Sequence, residues 1–310
     1  MLQYENQIIM NESLDCLIRN CERIILGKGH VIRLAIACLL AKGHLLIEDL
    51  PGVGKTTLAH LLANLLGLRY SRIQFTSDLL PADIVGSNIY DRETQAFSYH
   101  PGPIFAQLVL ADEINRATPK AQSALLEAME ERQVTVEGTT RQLPDPFFVI
   151  ATQNPTYHIG TFQLPESQMD RFLMRIHIGY PDEDAEKALL SGRDRRELLE
   201  TLEPVIEPPK LKIMQTQVQE VHAADAVLDY CYRLIAFSRT CGRFLHGLSP
   251  RAGISLLAAA RAWAMLAGRD YILPEDVQVV APSCLGHRLL SEEDNAPVGH
   301  STVTEYLLNL

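Results

Sequence analysis

Short continuous apolar runs alternate with longer stretches striped at helical spacing through the first 180 residues of the chain. Leu45-Leu46-Ile47, Gln107–Ala111, Phe147–Ala151 and Leu173–Ile178 read as strands buried on both faces, as in a parallel sheet. A further strand is predicted near Tyr70–Phe75. Between these runs, Leu58, Leu61, Leu62, Leu65 and Leu66 form one helical stripe that stops at Gly67. Ala121, Ala124, Leu125, Ala128 and Met129 form another, behind Thr118-Pro119, which reads as an N-cap followed by a proline in the first turn. Residues 12–41 predict two amphipathic helices broken around Gly27-Lys28-Gly29. Strand and helix in alternation predict an α/β fold with a doubly wound parallel sheet.

Two hairpin patterns interrupt that alternation. One runs from Ile89 to His100 and turns at Asp91–Gln95; Pro101-Gly102-Pro103 follows it directly. The other runs from Gln133 to Leu143, with Val134 and Val136 alternating and Gly138 in the turn. After Tyr180-Pro181 the strand signals stop. Helices are predicted over Asp182–Leu190, Ala224–Thr240 and Pro250–Ala267, with a short one from Pro274. Glu203–Pro209 carries three prolines and reads as a linker. The expected organisation is an α/β core over residues 1–180, then a linker over about 181–222 and an all-helical lid to 310.

The richest chemistry follows the first buried run. Pro51-Gly52-Val53-Gly54-Lys55-Thr56-Thr57 joins the Leu45–Ile47 strand to the leucine-striped helix. Glycines there let backbone N–H groups converge on a polyphosphate, and the helix N-terminus adds its positive end. Lys55 is the candidate for the β- and γ-phosphates, and the Thr56 hydroxyl for Mg²⁺. Asp49 stands where the full phosphate-loop pattern has its first glycine, a position that mainly shapes the exit from the strand.

Asp112-Glu113 follows the Leu108–Ala111 run at its carboxyl end, where ligands sit in open α/β sheets. Asp112 is a candidate for holding Mg²⁺ through water, and Glu113 for polarising a water that attacks the γ-phosphate. Asn154, just past Phe147–Thr152, is a candidate to orient that water or to sense the γ-phosphate; beside Pro155 it also reads as a turn residue. Arg171 has two readings: a surface arginine paired with Asp170 or Glu166, or a finger reaching a neighbouring subunit's nucleotide. Ser249-Pro250-Arg251 reads as N-cap, N1 and N2 of a helix, where a cation opposes the helix dipole unless it faces an anion.

Bulk properties narrow the partners. Hydrophobic residues make up 47% and charged residues 21%, ordinary for a globular protein. A net charge of -10 weighs against a surface that holds nucleic acid broadly. The six cysteines include no C-x-x-C pair and read as buried thiols of a reducing compartment. The longest apolar stretch, Leu34 to Ala41, is too short to span a bilayer, and Glu5, Glu12 and Asp15 spoil any signal-peptide pattern. A cytoplasmic protein is expected.

Taken together, Gly43–Asp49 with Pro51–Thr56, Ala111–Ala117, Ala124–Glu131, Ala151–Pro155 and Leu164-Pro165-Glu166 through Asp170-Arg171-Phe172 closely resemble the MoxR family of AAA+ ATPases. Ser249–Ala252 and Gly268–Tyr271 extend the likeness into the lid, so that it covers most of residues 24–285. The resemblance implies an AAA+ P-loop NTPase that binds ATP or ADP with Mg²⁺. Gly52, Val53, Gly54, Lys55, Thr56 and Thr57 would form Walker A; Asp112 and Glu113, Walker B; Asn154, sensor 1; Arg171, the arginine finger; and Arg251, sensor 2. The hairpins would correspond to a helix-2 insert and a pre-sensor-1 hairpin.

The resemblance further implies a homo-oligomeric ring, a hexamer, acting as a chaperone-like machine on a protein client. A separate von Willebrand factor A protein is the expected helper. Tyr157-His158-Ile159 departs from the family, whose members tend to be acidic there, and the end beyond Leu289 matches no motif of it. Two other readings stay open: a nucleic-acid-handling motor whose hairpins line a pore, and a nucleotide-gated scaffold with little turnover.

Overall fold

Five parallel strands set the frame: β1 (Leu45–Glu48), β2 (Tyr70–Gln74), β5 (Leu108–Asp112), β8 (Phe148–Gln153) and β9 (Met174–Ile176), in spatial order β2-β5-β8-β1-β9. In this computed structural model the described residues are 2–93, 95–154, 161–191, 198–199, 201–293 and 297–308, with side chains from Met10. Tyr157, His158 and Ile159 lie outside them. The apolar runs that predict β1, β5, β8 and β9 are buried on both faces because successive residues point opposite ways, whereas β2, at the sheet edge, buries only Ile73. Leu45, Ile47, Leu108, Leu110, Phe148 and Ile150 enter one cluster, and Leu46, Val109, Ala111, Val149 and Ala151 the other.

Helices cover both faces. The first cluster takes α1 (Leu2–Ile24), α2 (Gly29–Leu40) and α3 (Lys55–Leu65); the second takes α4 (Pro81–Val85) and α5 (Pro119–Glu131). Thr118 occupies the N-cap of α5 without making a side-chain bond, so Pro119 sets that start. In α5 the buried stripe is Ala121, Gln122, Leu125, Leu126, Ala128 and Met129. Gln122 is tolerated there because its amide donates to the carbonyls of Ile114, Ala117 and Phe162.

His44 is buried at the head of β1. Its Nδ1 accepts from Val149 N–H (3.0 Å) and its Nε2 lies 3.2 Å from the Met129 carbonyl, which fixes a neutral ring protonated on Nε2. Burial, reinforced by Arg132, pushes its pKa down to about 3. Burial lowers buried His287 in the same sense. The folded value lies below the unfolded value of about 6.5, so the unfolded chain binds the extra proton and stability falls as pH drops through that window. We expect the urea midpoint to decline from about pH 6.5 downward, each fully developed site costing about 1.4 kcal/mol per pH unit. A His44→Gln variant measured the same way should be less stable but flatter; an equally steep slope in both overturns the assignment.

Two antiparallel hairpins leave the sheet: β3 (Gly86–Asp91) with β4 (Ala96–Pro101), and β6 (Gln133–Val136) with β7 (Thr139–Gln142). At the root of the first, Gly86 (φ +94) and Gly102 cross so closely that added Cβ atoms would lie 2.3 Å from the His100 carbonyl oxygen and 2.2 Å from that of Ile84. Its far end exposes Ile89, Tyr90 and Phe97. The hairpins are tied to each other by Asn88 Nδ2 donating to Glu137 (2.5 Å) and by Arg141 stacked 3.7 Å over the Tyr99 ring.

Helices dominate after β9: α7 (Glu183–Ser191), α8 (Pro208–Glu220), α9 (Asp225–Thr240), α10 (Pro250–Leu266), α11 (Pro274–Leu285) and α12 (His300–Tyr306), with α6 (Glu166–Met169) a single turn before β9. Two expectations are corrected here. The stretch read as linker contains α8, because Pro208 and Pro209 occupy its first turn, where a missing N–H costs nothing. Before it, Val205 and Ile206 N–H both donate to the Leu65 carbonyl, so the chain is packed rather than loose. The helix from Pro274 is not short: it runs through Pro282 to Leu285, held by buried Val277, Val280, Ala281 and Cys284.

Cys21, Cys38, Cys231 and Cys284 are buried, while Cys16 and Cys241 are half-buried. Burial pushes the Cys21 and Cys284 thiols up to about 12, which keeps them protonated. Among the described residues no helix is long and apolar enough to cross a membrane.

Candidate functional site

Four strand ends and one loop meet at the carboxyl edge of the sheet. Parallel register places Glu48 opposite Gln153 and Gln74 opposite Asp112, so the ends of β1, β2, β5 and β8 lie level. The loop after β1 bends through Gly52 (φ +87) and Gly54 (φ +95), and α3 begins at Lys55. An added Cβ on either glycine would meet nothing within 4 Å. Both positions therefore need glycine for their left-handed backbone rather than for want of space.

Lys55 Nζ donates to the Asp49 carbonyl (2.5 Å). Partial burial draws its ammonium below the usual range, opposed by the nearby Asp49, Asp112 and Glu113 carboxylates. Asp49, at the position where the pattern wants glycine, has its own work. Its Oδ2 accepts from Ile178 N–H (2.7 Å) and Gly179 N–H (2.6 Å), and its Oδ1 from Leu50 N–H (2.8 Å). The loop entry is thereby fastened to the exit of β9.

Asp112 closes β5, and Thr152 on β8 organises it. Thr152 Oγ1 donates to Asp112 Oδ1 (2.6 Å) and accepts from Glu113 N–H (2.9 Å), so one hydroxyl fixes both acidic residues. Glu113 is itself left-handed (φ +57), an uncommon state for a non-glycine residue that turns its side chain out of the strand direction. Its carboxylate takes Arg116 (3.1 Å) and the Gln74 amide (3.3 Å). Asp112 Oδ2 takes Arg72 through Nε (3.1 Å) and a terminal nitrogen (2.6 Å). Asn154 follows β8 half-buried, and its carbonyl accepts from Asn115 Nδ2 (3.3 Å).

The structure therefore brings Lys55, Asp112, Glu113 and Asn154 to one edge, but it gathers Arg171 and Arg251 elsewhere. Both arginines lie on Glu130, near the end of α5: Arg171 Nε on Oε2 and Arg251 on Oε1, each at 3.1 Å. Arg171 pairs with neither Asp170 nor Glu166 among the described residues, contrary to the surface reading. Asp170 is taken instead by buried Arg288 (2.6 Å), with Arg251 Nε at 3.8 Å. Ser249 caps α10 as expected, its Oγ accepting from Ala252 N–H (3.2 Å), which leaves Arg251 in the first turn.

Thr152 and Glu130 lie within segments that carry the family resemblance and Arg72 and Gln74 within the predicted second strand, but no pattern along the chain assigns any of the four a role. A polar residue inside the buried strand β8 was the available signal for Thr152. Asp112 and Thr56 supply hard oxygen donors, the set Mg²⁺ accepts while keeping most of its water. No group of three or more acidic, histidine or cysteine side chains among the described residues suits a softer ion.

Comparisons with known proteins bear on the family and the fold. Residues 44–174 match the ATPase family associated with various cellular activities (AAA), and residues 236–305 match the AAA lid domain. The chain is 49% identical over 273 residues to the uncharacterized protein YeaC of Bacillus subtilis, covering 88% of this chain and 85% of that one. It is 41% identical over 300 residues to Chaperone MoxR1 of Mycobacterium tuberculosis, covering 91% and 77%. A crystal structure from Cytophaga hutchinsonii superposes with a TM-score of 0.89 at 32% identity, over 99% of this chain and 96% of that one.

Proposed function

Because the chain belongs to the MoxR family of AAA+ ATPases, we propose that it hydrolyses ATP with Mg²⁺ in a homo-oligomeric ring and uses the cycle to remodel a protein client. The observation that carries the hydrolytic part is the Thr152 hydroxyl bonded to both Asp112 and Glu113 beside Lys55. Gly52, Val53, Gly54 and Thr57 cradle phosphate, Lys55 neutralises it, and Thr56 with Asp112 holds the metal. Bound Mg²⁺ supplies charge neutralisation on the phosphate oxygens. Glu113 takes the proton of the attacking water and Asn154 orients that water.

Arg171 and Arg251 share Glu130, which supports a common destination for both. An arginine finger completes a neighbour's site, so the contact between subunits is heterologous and closes into a ring, of six in this reading. A protein client is favoured over nucleic acid by the net charge of -10 and by the apolar end of the first hairpin, with Phe97 72% exposed. A separate von Willebrand factor A protein as helper, action in the cytoplasm, and a core over residues 1–180 joined through packed helical segments to a lid ending at 310 complete the reading.

The trans role has a direct test. Arg171→Ala and Lys55→Ala subunits, each inactive alone, should recover measurable phosphate release when mixed, since each mixed boundary can pair an intact loop with an intact finger. If the two demonstrably co-assemble and recover nothing, Arg171 is an ordinary ion-pair residue.

A further inference from the structure

The carboxylate assigned to the metal already holds a cation. Arg72, on β2, reaches across to β5 and places two guanidinium nitrogens on Asp112 Oδ2, at 3.1 and 2.6 Å. Its NH2 also donates to the Gln74 amide oxygen at 3.0 Å, which aims the guanidinium plane along the sheet edge. Arg72 is 49% exposed against 10% for Asp112, so the arginine can swing into solvent while the aspartate cannot follow. Thr152 grips the other oxygen of Asp112 and keeps the carboxylate facing the site. Release of Arg72 would therefore leave Asp112 in place with one oxygen free.

Tyr70 is a second polar residue of β2, opposite Leu108 at the start of the pair. It shares the strand with Arg72, stacks on His60 of α3, and has a buried hydroxyl without a hydrogen-bond partner among the described residues. Burial raises it to about 12, with Arg72 and Asp112 acting on it in opposite senses.

We propose that Arg72 is an internal counter-cation of Asp112 that competes with the divalent ion, and so sets the ion concentration at which nucleotide is bound with metal. The inference rests on the reading of Asp112 as a metal carboxylate. Arg72 acts through Asp112 and is a positioning residue. Its removal has an unusual signature, because ordinary structural damage weakens metal dependence whereas loss of a competitor sharpens it.

The test is the affinity of the full chain for a fluorescent ADP, measured in EDTA and across a Mg²⁺ series. In Arg72→Gln the Mg²⁺ midpoint should fall about five-fold, the shift expected for losing one half-exposed competing charge, with affinity in EDTA little changed. Arg72→Lys keeps the charge but loses the two-nitrogen grip, and should lie between; it also serves if Arg72→Gln does not fold. A midpoint that stays or rises in a folded variant overturns the proposal. So does an affinity that drops in EDTA with the midpoint fixed, which would make Arg72 a phosphate ligand. Asp112→Asn separates the two levels. If it leaves the Mg²⁺ dependence intact, the site reading itself is wrong; if it abolishes that dependence while Arg72→Gln changes nothing, only the competition is.

Discussion

A Glu113→Gln protein should bind ATP as tightly as the unaltered chain and hydrolyse it at least about a hundred-fold more slowly. The amide keeps the size of the side chain and its place beside Gln74 and Arg116, but it cannot take a proton from water. The left-handed backbone at Glu113 and its N–H bond to Thr152 belong to the main chain and survive the change. Binding and turnover should therefore separate. Nucleotide affinity and steady-state phosphate release on the same sample check this, and unchanged turnover would remove Glu113 from the chemistry. The same variant, holding ATP, is the natural bait for isolating a client, because stalled hydrolysis prolongs contact.

The second large effect concerns stability. Arg175 on β9 is 6% exposed, pairs with Glu48 at 3.0 Å and donates to the Val298 carbonyl at 2.7 Å. Glu48 in turn accepts from Gln153 at 2.9 Å. Arg175→Ala would leave a largely buried carboxylate short of its cation and a buried carbonyl without a donor, a loss of about 3–5 kcal/mol. Denaturant titration should show it. The Arg175→Met, Glu48→Leu double variant should recover most of the loss, because it removes both charges together. Residues 297–307, anchored by Val298, Val303 and Leu307, should also become more open to protease in the single variant. A loss under about 1 kcal/mol would mean that water reaches Glu48 after all.

Much of this was readable along the chain. Pro51–Thr57, Asp112-Glu113 and the strands around them are contiguous, so local pattern suffices for them. Arg72, Gln74 and Thr152 were not readable, because their meaning depends on strand order. Only when β2 lies beside β5, and β5 beside β8, do these residues reach the same two carboxylates. Spacing along the chain carries no such order. Glu130 was hidden in another way: it is one acid among Glu127, Glu130 and Glu131 on α5, and only the fold selects it as the partner of both arginines. Proline misled where it is ambiguous, since Pro204, Pro208 and Pro209 look like a linker although two of them open a helix.

The cross-ties between the hairpins have a mechanical meaning. Two isolated β-ribbons would bend separately under a sideways load. Joined by Asn88–Glu137 and by Arg141 against Tyr99, they work as a truss with two feet. One foot is the glycine crossing at Gly86 and Gly102, too tight to hinge freely. The other is the end of α5, where Leu143 N–H is bonded to the Arg132 carbonyl. A 13-residue helix is a stiff rod about 20 Å long, and the far end of this one begins a few residues after Glu113. A sideways pull on Phe97 would therefore load α5 as well as the glycine crossing.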